Sequence, residues 1–342
     1  MQNYYPPYQN MNPQQPQANP WEQYFQLKRK TEIKELIVTG LVIGATLIAS
    51  LLIQTVAVVV LMLSKKYDVY LESSLFQNTF NIIAVHILSM MVPFYLMSLI
   101  LKKRFVSELI PRKEIGAPNC FAWVCFGMGC CIAANFVTAG VIELFRLMGY
   151  KLTQTEYNDP SSIIECIALV FSTAIAPAVC EEFAMRCCTM GALRRYGKGF
   201  AVVAVSIVFG LIHGNVIQFV FAFLLGLVFG YITIVTDSVI PAMFIHGLNN
   251  GISVASDIVK YAWGSSKSEY VGVICYLIWG ALSVYGLIYL IIKKQIRINR
   301  QKKLKEPYSL SFGGKLLCLM PGFIIPIGIL IFITIQTIVP IT

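Results

Sequence analysis

Nine stretches of this sequence stay apolar for about 20 residues at a time, and a stretch of that kind has very few ways to fold. Hydrocarbon offers no water to backbone N–H and C=O groups, so each stretch must satisfy its own as a helix. At 1.5 Å of rise per residue, about 20 residues cross a hydrocarbon core about 30 Å thick. The stretches lie near 37–63, 79–101, 119–142, 162–192, 199–213, 216–235, 239–257, 270–292 and 316–340. Pro321, Pro326 and Pro340 in the last remove backbone donors and predict a kink or break there. Only 13% of residues are charged and 57% are hydrophobic, which excludes an ordinary soluble domain. The expected fold is an all-α polytopic membrane protein, a bundle of eight to nine transmembrane helices surrounded by membrane lipid.

The charges fall in alternate loops. Lys28, Arg29, Lys30 and Lys34 precede the first stretch; Lys102, Lys103, Arg104, Arg112 and Lys113 follow the second. Arg194, Arg195 and Lys198 follow the fourth, and a basic run from Lys293 to Lys305 follows the eighth. The intervening loops hold only pairs, such as Lys65–Lys66, Arg146 with Lys151, and Lys260 with Lys267. Alternation of this kind places the basic loops and the N-terminus in the cytoplasm, and accounts for the +10 net charge without a nucleic-acid partner. Residues 1–27, rich in Pro, Gln, Asn and Tyr, have no apolar periodicity and read as part of a disordered cytoplasmic tail. No cleavable signal pattern precedes the first apolar run, which reads as a signal anchor. The division expected is a tail at 1–34, N-terminal spans at 35–159, a functional helical core at 160–257 and C-terminal spans at 258–342. The ten cysteines sit almost wholly in apolar stretches with no C-x-x-C pair, and read as small buried hydrophobes.

Against that background the segment "PAVCEEFAMRCC" at 177–188 stands out, because ionisable residues inside a membrane are costly and are functional candidates by default. Two of the three histidines fall near it in sequence: His213 ends "SIVFGLIH", and His246 begins "HGLNN", with Asn250 one turn on. Glu181 and His213 are placed almost symmetrically about the turn at Gly197. If two antiparallel helices meet at that turn, both side chains lie roughly 18–21 Å from it. His246 lies eight residues past the turn at 236–238, about 12 Å deep, and Asn250 about 18 Å deep. Three helices are therefore expected to deliver Glu181, His213, His246 and Asn250 to one slab of the membrane. Glu182 and Arg186 are four apart on one helix face and are expected to pair, which leaves Glu181, about 100° round the helix, as the acid available for chemistry. Pro177 cannot donate to the carbonyl of Thr173 and predicts a kink beside Glu181. His86, in "IIAVHILSM", has no polar neighbour in sequence and reads as a core histidine; Phe209 reads as packing, and Asp237 as a turn residue.

The order Glu181-Glu182-x-x-x-Arg186, Phe209-x-x-x-His213, His246-x-x-x-Asn250 on successive helices resembles the CPBP family. These are the CAAX-protease and bacteriocin-processing intramembrane proteases, also called Abi. The resemblance covers about 160–257; Met185 and Cys187 depart from the Phe and Gly common there and concern packing around Arg186. It implies hydrolysis of a peptide bond inside the membrane, with Glu181, His213 and His246 essential and Glu182 and Arg186 supporting. The substrate implied is a membrane-associated peptide or lipidated protein.

The residues suit that chemistry in their own right. Glu181 in an apolar setting can act as general base on water, with His213 sharing the water. His246 and Asn250 can donate to the oxyanion, at about 3 kcal/mol per donor. Zinc on His213 and His246, with an open position for water, is the other arrangement the residues and the family's metalloprotease label allow. The absence of H-E-x-x-H and the presence of an amide weigh against it. Two non-protease readings stay open: a peptide-binding scaffold or bacteriocin-immunity protein of the same fold, and a proton-coupled transporter, for which no internal repeat is visible. Polar contacts that serve only as interhelical glue, at about 0.6 kcal/mol each, are the structural alternative. The bacterial plasma membrane is the expected location.

Overall fold

The computed structural model describes residues 20–101, 115–154, 158–296 and 310–341. All nine apolar stretches are helical. The first, α1 (Pro20–Leu63), begins before residue 34, so the tail expected at 1–34 is helical from residue 20 on; residues 1–19 lie outside the described residues. At about 66 Å, α1 is twice as long as the hydrocarbon core, which leaves its lysine-bearing start beyond the apolar layer. A short α2 (Tyr67–Glu72) leads into α3 (Ser74–Ile100). There follow α4 (Ala117–Leu147), α5 (Ile163–Tyr196), α6 (Lys198–Leu211), α7 (Val216–Thr236), α8 (Ile240–Trp263), α9 (Ser265–Ile292) and α10 (Phe312–Ile335).

Seven of these helices are long and apolar enough to cross a membrane, against the eight to nine expected. The shortfall has physical causes. Helix α6 has 14 residues, about 21 Å, and stops short of a full crossing; α8 has the length but carries His246, Asn249 and Asn250. The last helix ends at Ile335 rather than 340, because residues Ile338–Pro340 (β2) pair antiparallel with Tyr150–Leu152 (β1), a small ladder in an otherwise all-α chain. Pro321 and Pro326 lie inside α10 without ending it. It is held against α1 by backbone contact. A Cβ on Gly44 would stand 1.8 Å from the Gly322 carbonyl oxygen, and one on Gly322 2.1 Å from that of Gly40. Gly40 and Gly44, one turn apart, are the small-residue pair that lets two membrane helices touch.

Two apolar clusters form the interior. One joins α1, α3, α5, α6 and α10 around Leu36, Phe94, Met185 and Phe209; the other joins α4, α7, α8 and α9 around Trp123, Phe229 and Ile245. Outward side chains such as Leu277 and Ile292 of α9 are exposed, as on a lipid-facing surface.

The connections sort to two ends. At one, Arg195 lies 3.6 Å from Glu35, Arg194 3.3 Å from Asp237, and Lys315 donates to the carbonyl of Tyr196. At the other, Asn158 donates to Leu71 O at 2.6 Å, Lys260 pairs with Asp159, and Val216 N donates to Thr337 Oγ1 at 3.3 Å. The first end holds the basic residues at the start of α1 and in the turn at 194–198.

Candidate active site

Helix α5 supplies the acids, and its backbone is irregular around them. It widens to π-helix at Val170–Ile175 and Phe183–Met190, as α3 does at Asn81–Met91. Such segments are frequent at functional sites, where one extra residue per turn re-aims side chains. Pro177 sits between the two in α5 with no N–H to give Thr173, and the amide of Asn250 on α8 donates to that carbonyl instead, at 2.9 Å. Asn249 donates to Asn250 Oδ1 at 3.2 Å, which fixes which way the amide faces. One N–H of Asn250 thus serves the backbone carbonyl four residues before Pro177.

Glu182 and Arg186 pair as expected, with Glu182 Oε2 3.1 Å from Arg186 Nε. The two side chains are 0% and 1% exposed, and the contact is a charge pair rather than a well-aligned hydrogen bond. The other Glu182 oxygen accepts from His246 Nδ1 at 2.9 Å. One buried carboxylate thus holds both a guanidinium and an imidazole. Aromatic faces complete the cage: Arg186 lies 4.4 Å from the Phe209 ring centroid and 5.2 Å from that of Phe229, and both rings also contact His246. Desolvated contacts of this kind contribute about 2 kcal/mol each. Phe209 belongs to one apolar cluster and Phe229 to the other, so the charges are clamped at the seam between them. Met185 and Cys187, the two departures from the family pattern, are fully buried beside Arg186.

With Nδ1–H bound to Glu182, the other ring nitrogen of His246 is turned to Glu181, with Nε2 3.8 Å from Oε2. That separation is too long for a direct hydrogen bond and suits a water shared between them. Glu181 Oε2 is buried and has no hydrogen-bond partner among the described residues. His213 follows the end of α6, and its Nδ1–H donates to the Phe209 carbonyl at 2.8 Å, which leaves Nε2 as the acceptor in the neutral ring. Glu181, His213, His246 and Asn250 line one cavity of about 920 Å³, within the range of a ligand site.

His86 lines the same cavity. In sequence it has no polar neighbour and reads as a core histidine. It is 7% exposed, and its Nδ1 has no hydrogen-bond partner among the described residues. No motif marks it, because its companions come from α5 and α8. Phe229 and Asn249 were likewise unmarked. Phe209 packs as its sequence context implies, and its ring also faces Arg186 and His246.

Among the described residues no three His, Cys, Asp or Glu side chains stand together as metal ligands. The protein engages His213 and His246 through Nδ1 and leaves Nε2 of each turned to the cavity side.

Residues 163–252, which hold every one of the expected site residues, match the family model described as type II CAAX prenyl endopeptidase Rce1-like. The match lies within residues 160–257, the span of the sequence resemblance. No curated protein and no solved structure matches the chain.

Proposed function

We propose, from the premise that residues 163–252 are a segment of the Rce1-like CAAX protease family, that this chain is an intramembrane endopeptidase with Glu181 as its general base. The observation that carries the reading is the 3.8 Å gap between Glu181 Oε2 and His246 Nε2, inside a cavity shared with His213. Water in that gap gives a proton to Glu181 as its oxygen bonds to the substrate carbonyl carbon. The same proton passes from Glu181 to the departing amine, so that water and one peptide bond become a carboxylic acid and an amine. His213 Nε2 accepts a hydrogen bond from the water and orients it. His246 can donate from Nε2 to the oxyanion when its ring carries a second proton, and Glu182 against Nδ1 is the charge that would balance it. Asn250, Glu182 and Arg186 are positioning residues. No step is routed through zinc. The substrate class is a membrane-associated protein or peptide, and the chain is oriented with its basic loops in the cytoplasm.

Glu181→Gln keeps the shape and removes the base. We expect its turnover to fall about 100- to 10,000-fold with the melting temperature unchanged, read by peptidomics of cells carrying either chain. Full processing by Glu181→Gln, His213→Ala and His246→Ala alike overturns the reading in favour of a non-catalytic peptide-binding scaffold. Purified enzyme is expected to keep its turnover after dialysis against a chelator. Loss that returns with added zinc would overturn the metal-free mechanism.

A further inference from the structure

The cavity has one direction. Its floor is Phe94, Phe209 and Phe229, above the buried Arg186. Its far lining is Gln154, Asn158, Asp159, Asp257 and Lys260, which belong to the end where β1 pairs with β2 and where Lys260 meets Asp159. Among the described residues, none of the lining comes from the opposite end, where Glu35, Arg195 and Lys315 gather. The two ends also differ in charge. Among the described residues the basic end, with the starts of α1 and α10, carries ten Lys and Arg against four acids. The other end carries six and seven, and Arg186, Glu181 and Glu182 lie between. A bias of that size in Lys and Arg keeps an end in the cytoplasm.

We infer that the catalytic cavity opens to the extracytoplasmic side, and that the segment it cuts is a stretch of extended peptide presented from there. This rests on the protease reading for its substrate, but the direction of the cavity does not. His246 is 14 residues along α8 from Lys260, about 21 Å from the mouth. An extended chain advances about 3.3 Å per residue, so about six residues must enter before a peptide bond meets Glu181. The amides of Asn81, Asn135 and Asn249 line the way in, and they suit a peptide backbone, which presents a donor and an acceptor at nearly every residue. The substrate is therefore a peptide or a membrane protein whose cut segment stands outside and is unfolded over at least that length. A folded domain against the membrane surface would be refused.

The test uses two reporters in the full chain. Ser253 lines the cavity about 10 Å above His246 and is exposed; Lys198 is exposed at the basic end. Ser253→Cys and Lys198→Cys are treated separately with a membrane-impermeant maleimide, in intact cells and in inside-out vesicles. Peptide mapping separates each reporter from the native cysteines. We expect Cys at 253 to be modified in intact cells and Cys at 198 only in inside-out vesicles. Modification at 253 is expected to stop Glu181-dependent cleavage. Labelling at 198 in intact cells, labelling at 253 only from the vesicle side, no labelling at 253 from either side, or undiminished cleavage after labelling would each overturn the inference. If no Glu181-dependent product exists, the protease reading is what fails, and the labelling still decides where the cavity opens.

Discussion

Glu182 faces Arg186 with one oxygen and His246 with the other, all three buried between Phe209 and Phe229. A charge in that position is stable only with its partners. Glu182→Leu strands the guanidinium, and stability is expected to fall by about 3–5 kcal/mol, measured by denaturation in detergent. Adding Arg186→Met removes both charges and is expected to recover most of that loss. Activity is not expected to return with it, since His246 has lost the carboxylate that orients its ring. A double variant that regains both would reduce Glu182 to glue. At this scale the pairing of Glu182 with Arg186 was readable from a spacing of four. The bond from Glu182 to His246 was not, because 64 residues separate them and only the packing of α8 on α5 closes the gap.

Helix α5 carries a proline in the middle of its run, and another helix repairs it. If Asn250 acts by satisfying the carbonyl of Thr173, then Asn250→Ala should cost about 1–3 kcal/mol of stability. Pro177→Ala, which restores an N–H to the turn, should then soften that loss in a double-mutant cycle. An Asn250 that acted only as an oxyanion donor would show no coupling to Pro177. Helices α6 and α8 supply the remaining groups, and they are the two of the nine that fail the test of length or apolarity. A helix too short to cross ends inside the bundle, which brings His213 beside the acids. A helix with a polar face must turn it inward. Both departures are visible in the sequence as a histidine closing one apolar run and "HGLNN" interrupting another, although apolarity alone makes the run ending in His213 look like a full span.

Over the whole molecule, the crossing of α1 and α10 is the contact that leaves least room for change. Gly44→Val places side-chain atoms where the Gly322 backbone stands, and is expected to abolish folded protein in size-exclusion chromatography. Gly328→Ala, on α10 with open space around it, is expected to elute as the unchanged chain does. A soluble, monodisperse Gly44→Val would show that the two helices need not touch. What the sequence by itself determined was helical order, approximate boundaries and the bias of charge between the ends, because hydrocarbon leaves a backbone no alternative to the helix and lysine and arginine resist translocation. It also singled out the acids and two of the three histidines, since polar residues are conspicuous in an apolar run. Only the tertiary structure decided what they touch: that His86 joins the cavity, that Asn250 serves Thr173, and that the cavity lining reaches Asp159 and Lys260. Those relations depend on how far each helix is turned and shifted against its neighbours. Close packing of side chains from distant parts of the chain sets that turn and shift, and no local spacing records it.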